Sequence, residues 1–159
     1  TQERIKVGDQ LPSFTLTDHH GKELHSTELK GMNVLLSFHP LAWTGVCAKQ
    51  MKSLEHNVEQ FTKLNTIALG LSVDAVPSKH AWAKHELKLQ HTRLLSDFWP
   101  HGGVAQTLGI FRNGSGTSER ANIIVNKDQK VLFVKVYDIS QVPDINEIVA
   151  FLKKMKEEQ

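Results

Sequence analysis

Between Val34 and Val73 the chain sets a short apolar run, a segment of helical period and a second apolar run in that order. No other feature restricts the fold as much. Val34 to Phe38 predicts a strand buried on both faces, and Pro40 stops it. From Cys47, the positions Met51, Leu54, Val58 and Phe61 recur at three- and four-residue steps, which predicts one helix with these side chains facing inward. Ile67, Leu69, Leu71 and Val73 then alternate with Ala68, Gly70 and Ser72 as a second strand. Strands joined through a helix in this way run parallel, and the crossover is right-handed.

The rest of the chain adds elements around that unit. Pro77, suited to a first helical turn, opens a segment containing Ala81, Trp82, Ala83 and Leu87, and a short strand follows near Leu94 and Leu95. Asp97 to Glu119 is rich in Gly, Ser and Asn at both ends, so this stretch is expected to be largely irregular apart from the apolar piece Val104 to Ile110. Ile123 to Val125 and Val131 to Val136 flank Asn126-Lys127-Asp128-Gln129 and predict an antiparallel hairpin. A closing helix carries Ile145, Ile148, Val149, Leu152 and Met155 on one face. With no repeat or linker, the 159 residues are expected to form a single domain, 1–159, of α/β class: a central mixed β-sheet flanked by helices.

Charge and cysteine usage limit the partners. The net charge of +2 arises from bases interspersed with acids, so no stripe exists to neutralise many phosphates, and nucleic acid is not expected. No apolar run spans a bilayer, and the polar opening from Thr1 to Leu11 is unlike a signal segment, so no membrane association is expected. A single cysteine excludes an internal disulfide and suits a reducing compartment, which favours a cytoplasmic location. Nine histidines do not predict a metal site: His19 and His20 are adjacent in a turn, while His80 and His85 point to different faces of a regular helix. Neither metal nor cofactor is expected.

The lone cysteine stands where chemistry is favoured. Cys47 opens a helix just after a buried strand, and unpaired N–H groups with the positive end of the helix dipole stabilise a thiolate there. Burial opposes ionisation, so a cation is needed nearby. Arg120 supplies it if the strand that it starts runs antiparallel to the strand ending at Phe38, because its beginning then lies beside the other's end. Thr44 is a helix cap by position. His39 is placed to touch substrate or to pack, and Phe98 and Trp99 to line an entrance, contact a second subunit or fill core.

Pro40, Thr44 and Cys47 at these spacings resemble the P-x-x-x-T-x-x-C motif of the peroxiredoxins, the alkyl hydroperoxide reductase group. The resemblance runs along nearly the whole chain: Gly8-Asp9-Gln10-Leu11-Pro12-Ser13-Phe14 is similar to the family's opening, and Ser72-Val73-Asp74 with Ala81-Trp82 to its middle. Ser96-Asp97-Phe98-Trp99-Pro100-His101-Gly102 also fits, and Arg120 resembles the arginine before its later strand. It implies a thioredoxin-like fold and a peroxidase in which Cys47 attacks a hydroperoxide and becomes a sulfenic acid. Thr44, Arg120 and the N–H groups of Val46 and Cys47 would serve the peroxide oxygens, and Pro40 would cover the sulfur; Trp99, read from its position rather than from the resemblance, is the candidate substrate wall. Two departures stand out: Gln50 replaces a common Glu, and no second cysteine follows. The second implies regeneration by an external thiol, such as glutathione or a thioredoxin-like or glutaredoxin-like protein. The family also suggests a homodimer. The alternative is a redox sensor whose oxidised Cys47 forms a mixed disulfide with a client; a disulfide reductase is disfavoured because C-x-x-C is missing.

Overall fold

In a computed structural model describing residues 3–158, the apolar runs become adjacent strands and the helical segments pack on both faces. The strands are β1 (Thr15–Asp18), β2 (Glu23–His25), β3 (Asn33–Phe38), β4 (Thr66–Ser72), β5 (Arg93–Ser96), β6 (Phe111–Arg112), β7 (Thr117–Ser118), β8 (Arg120–Val125) and β9 (Val131–Tyr137). The helices are α1 (Gly45–His56), α2 (Val58–Lys63), α3 (Val76–Ala81), α4 (Gly103–Thr107) and α5 (Ile145–Glu157). A single seven-stranded sheet has the order β2-β1-β5-β4-β3-β8-β9. Its centre, β5-β4-β3, is parallel, whereas β1, β8 and β9 run antiparallel to their neighbours, so the sheet is mixed as expected.

Every residue of β3 and β8 is buried, because both strands are covered on two sides. Their period of two sorts the side chains. Val34, Leu36, Phe38, Ile123 and Val125 join one core with Leu69 and Leu71, beneath the N-terminal segment and α4. Leu35 and Ile124 point the other way, to Cys47, Met51, Trp82, Ile148 and Leu152 on the helices α1 and α5 and the segment after α3. Gly70 lies between these layers. A side chain there would collide with Met51 and Leu94, so the bare backbone lets α1, and with it Cys47, rest close on the sheet.

The structure differs from the sequence-based expectation in four places. The helix from Cys47 to Phe61 is broken at Asn57, whose side chain takes the Ser53 carbonyl at 2.8 Å and competes with continued helical bonding. Phe61 still reaches the core, now from α2. The 97–119 stretch holds α4 and the two-stranded β6-β7 ribbon, with Asp97 accepting the Val104 and Ala105 amides at 3.0 and 2.9 Å. An N-terminal hairpin, β1-β2, extends the sheet beyond β5 and was not expected. Lastly, α3 runs into a π-helical turn, Trp82–Leu87, so the regular helical phase used to separate His80 from His85 does not hold along the whole segment.

Glu55 at the end of α1 gathers the loop before β5. It accepts the amides of Gln90, His91 and Thr92 at 3.2, 3.1 and 2.9 Å, and pairs with the His91 ring at 3.0 Å. Burial pushes its carboxyl up, but these donors outweigh burial and hold it at about 2. A carboxyl held below its unfolded value adds stability above that value, and the gain is lost as pH falls from about 4.5 towards 2. Glu55→Gln is therefore expected to cost about 3 kcal/mol at pH 7 and nothing near pH 2, read as converging denaturation midpoints. Parallel curves at all pH values would refute the assignment.

Candidate active site

The end of β3 and the start of α1 are joined by His39 to Thr44, and the first helical bond runs from Ala48 N–H to the Thr44 carbonyl at 2.9 Å. Thr44 has extended backbone (φ −115, ψ 151) in the cap position. Trp43 before it is left-handed (φ 68), a conformation costing a bulky residue about 1–3 kcal/mol. The loop is fastened from below, where the Asp74 carboxylate accepts the Ala42 amide at 2.8 Å. Cys47 thus enters in the first turn of a twelve-residue helix, with its side chain 1 % exposed and facing the sheet. The dipole and the unbonded amides of that turn favour an anion at this point.

Arg120 meets Cys47 there. Strand β8 runs antiparallel to β3 with Ala121 opposite Phe38, so Arg120 lies beside the loop that follows β3. Its Nη1 donates to Cys47 Sγ at 3.3 Å and to Gln50 Oε1 at 2.7 Å. Its Nε and Nη2 donate to the Ile139 carbonyl at 3.0 and 2.8 Å. The guanidinium is 2 % exposed, and all of its acceptors other than the sulfur are neutral. A buried cation without a carboxylate gains most from an anion, and Cys47 is the group placed to become one.

Gln50, one turn after Cys47, holds this geometry. Its amide nitrogen donates to Ser37 Oγ at 2.8 Å and to the Phe38 carbonyl at 3.0 Å, which leaves Oε1 facing Arg120. Ser37 donates on to Asn122 at 2.7 Å, and Asn122 to Tyr137 at 3.4 Å. The polar row ties α1 to β3, β8 and β9. Being neutral, Gln50 orients the guanidinium without cancelling its charge.

Of the residues singled out from sequence, Cys47 and Arg120 are in contact. Pro40 is buried in the loop, and Val46 is partly buried in the first helical turn. Thr44 is exposed; its hydroxyl donates to the Leu41 carbonyl at 2.8 Å and makes no side-chain cap bond. Trp99 is 81 % exposed and, with Phe98, Val76 and Pro77, lines a surface cavity whose walls do not include Cys47. His39 is fully buried against the Trp82 ring, at a centroid distance of 5.2 Å. Burial, with the charges of Lys79 and Arg120, holds it neutral, well below the usual histidine value. Sequence reasoning missed Lys79, which lies wholly buried under the same loop. The available signal was its position three residues before Trp82, on the inward face of α3.

The model of the AhpC/TSA family matches residues 7–134. The chain is 33% identical over 141 residues to alkyl hydroperoxide reductase E of Mycobacterium tuberculosis, covering 88% of this chain and 91% of that protein. It is 31% identical over 155 residues to a peroxiredoxin of Ignicoccus hospitalis, covering 94% and 65%. Among solved structures, Mycobacterium bovis AhpC shares the fold with a TM-score of 0.90 at 20% identity, over 99% of this chain and 96% of that one. A sheet that brings Arg120 onto Cys47, and a family model extending from the first ordered turns into β9, lead to the same place: the chain belongs to the AhpC/TSA family.

Proposed function

We propose that this protein is a thiol-dependent peroxidase that reduces hydrogen peroxide and organic hydroperoxides at Cys47 and is restored by an external thiol. The observation that carries the reading is the 3.3 Å contact between the sulfur and a buried guanidinium that meets no other anion among the described residues. The thiolate attacks the distal peroxide oxygen; an S–O bond forms as the O–O bond breaks. The distal oxygen keeps its hydrogen as S–OH, and the leaving oxygen takes a proton from solvent to become alcohol or water. Sulfur is oxidised and peroxide oxygen reduced.

Negative charge moves from sulfur to oxygen during this displacement, so donors fixed around both atoms lower the barrier. Four of the five Arg120 donor hydrogens are engaged, which leaves one for a substrate oxygen. The Val46 and Cys47 amides precede the first helical donor and are free for the same purpose. The one hydroxyl hydrogen of Thr44 is held by the Leu41 carbonyl, so its oxygen serves by accepting the peroxide O–H, and Pro40 shields the sulfur from water. A reductant thiol, from glutathione or a thioredoxin-like or glutaredoxin-like protein, then displaces water from the sulfenic sulfur, and a second thiol frees Cys47.

The same reading takes the protein to be a cytoplasmic homodimer. Leu41 and Trp43 in the loop after β3, and Phe98 and Trp99 in the segment after β5, are exposed apolar side chains, and exposed apolar surface of this kind favours a partner subunit. The enzymatic reading is tested by mixing reduced protein with peroxide and following intrinsic fluorescence in a stopped-flow instrument. Oxidation far faster than that of free cysteine, with sustained consumption once a thiol reductant is added, is the expected result. A rate equal to that of free cysteine would exclude it.

A further inference from the structure

The most unusual group that the mechanism leaves unused is Lys79, 0 % exposed under the active-site loop and, among the described residues, in contact with no carboxylate. Its Nζ donates to Ser72 Oγ at 2.6 Å, and Ser72 donates in turn to Asp74 Oδ2 at 2.6 Å. The same Asp74 oxygen accepts the Ala42 amide. The other Lys79 contact is the His39 ring, Nζ to Nε2 at 3.2 Å, and no described group meets the opposite ring nitrogen, Nδ1. His39 precedes Pro40, and Ala42 precedes the turn into Thr44, so one ammonium secures both sides of the segment bearing the two site residues.

We propose that Lys79 is a positioning residue for the chemistry at Cys47: its ammonium braces the His39–Thr44 loop through His39, Ser72 and Asp74, and serves as a second cation in the field of the sulfur. The inference rests on the peroxidase reading and extends it to a residue that touches no substrate. Retaining a lysine here is costly, because an apolar side chain of similar length would fill the space without an ion to desolvate. A group kept against that cost is explained by what its charge does.

The charge is conditional. Burial pushes Lys79 down to about 7, against the opposing pull of Asp74, Cys47 and Asp97. The groups facing it are His39 from the loop after β3, Ser72 at the end of β4 and Asp74 just after it, Asp97 after β5 and Cys47 from α1, with Arg120 acting on His39 from β8. Burial with the charges of Lys79 and Arg120 holds His39 neutral, so it does not compete with the lysine for the proton. Below about pH 7 the ammonium is present and assists; as pH rises through that value its help is withdrawn.

The test compares wild type with Lys79→Met in the rate of Cys47 oxidation by hydrogen peroxide from pH 5.5 to 9. Wild type is expected to be faster by about tenfold at the acid end, with the ratio falling towards one at the alkaline end. A ratio that is constant with pH, or equal rates throughout, would overturn the proposal. A second measurement holds even if Lys79→Met does not fold. Coupling between two groups is reciprocal, so removing the sulfur in Cys47→Ser must lower the midpoint at which the Lys79 amine titrates by nitrogen-15 NMR. An unmoved midpoint would reject the coupling. This readout needs no peroxide, so it stays decisive for Lys79 if the wild-type protein proves not to be a peroxidase.

Discussion

Arg120→Met is expected to slow Cys47 oxidation by roughly 10²–10³-fold, the loss found when one fixed donor to a developing oxyanion is removed. The substitution keeps most of the side-chain stem and discards the charge. Its effect on stability is expected to be small for two opposing reasons. The ion that must be desolvated is gone, which relieves the fold, while the Ile139 carbonyl and Gln50 Oε1 lose their donor and are left unpaired. These changes are similar in size, so denaturant midpoints should correspond to a shift of no more than about 2 kcal/mol in either direction. A variant that reacts within about threefold of wild type would show that the guanidinium does not stabilise the reacting atoms.

Trp82→Ala is expected to have the largest effect on stability. The indole is wholly buried in the π-helical turn, against the His39 ring, in the core that also holds Cys47 and Met51. Truncating a buried Trp leaves a cavity that a close-packed interior fills only partly, and costs about 3–5 kcal/mol. For a chain of this size that lowers the melting temperature by roughly 6–20 °C. The His39 ring loses its wall, so the reaction rate of Cys47 should fall in the fraction that remains folded. A melting temperature within about 2 °C of wild type would mean that the core closes over the gap.

Periodicity made much of this legible in advance. The alternation in Ile67–Val73 and the three- and four-residue steps after Cys47 encode which faces are buried, and burial is what the sheet and α1 satisfy. The proximity of Arg120 to Cys47 was conditional on its strand running antiparallel to β3, and the observed pairing and the 3.3 Å contact meet that condition. What escaped notice is local or contrary to hydropathy. β1 and β2 are four and three residues long, too short to show a pattern. One asparagine side chain breaks the helix at Asn57, which no period reveals. Lys79 carried only the faint signal of its spacing from Trp82, because hydropathy assigns a lysine to water, whereas here Ser72 and His39 solvate it from within. The left-handed turn at Trp43 is set by the loop being anchored at both ends, which is a property of the assembled fold.

The antiparallel placement of β8 beside β3 has a consequence for the chain as it is made. Cysteine and arginine are 73 residues apart, so a ribosome releases the sulfur long before its guanidinium. Contacts between such distant positions form late, after the entropy of closing the intervening chain has been overcome. A half-finished molecule therefore carries the sulfur without its guanidinium, and the pair is completed only when β8 docks beside β3.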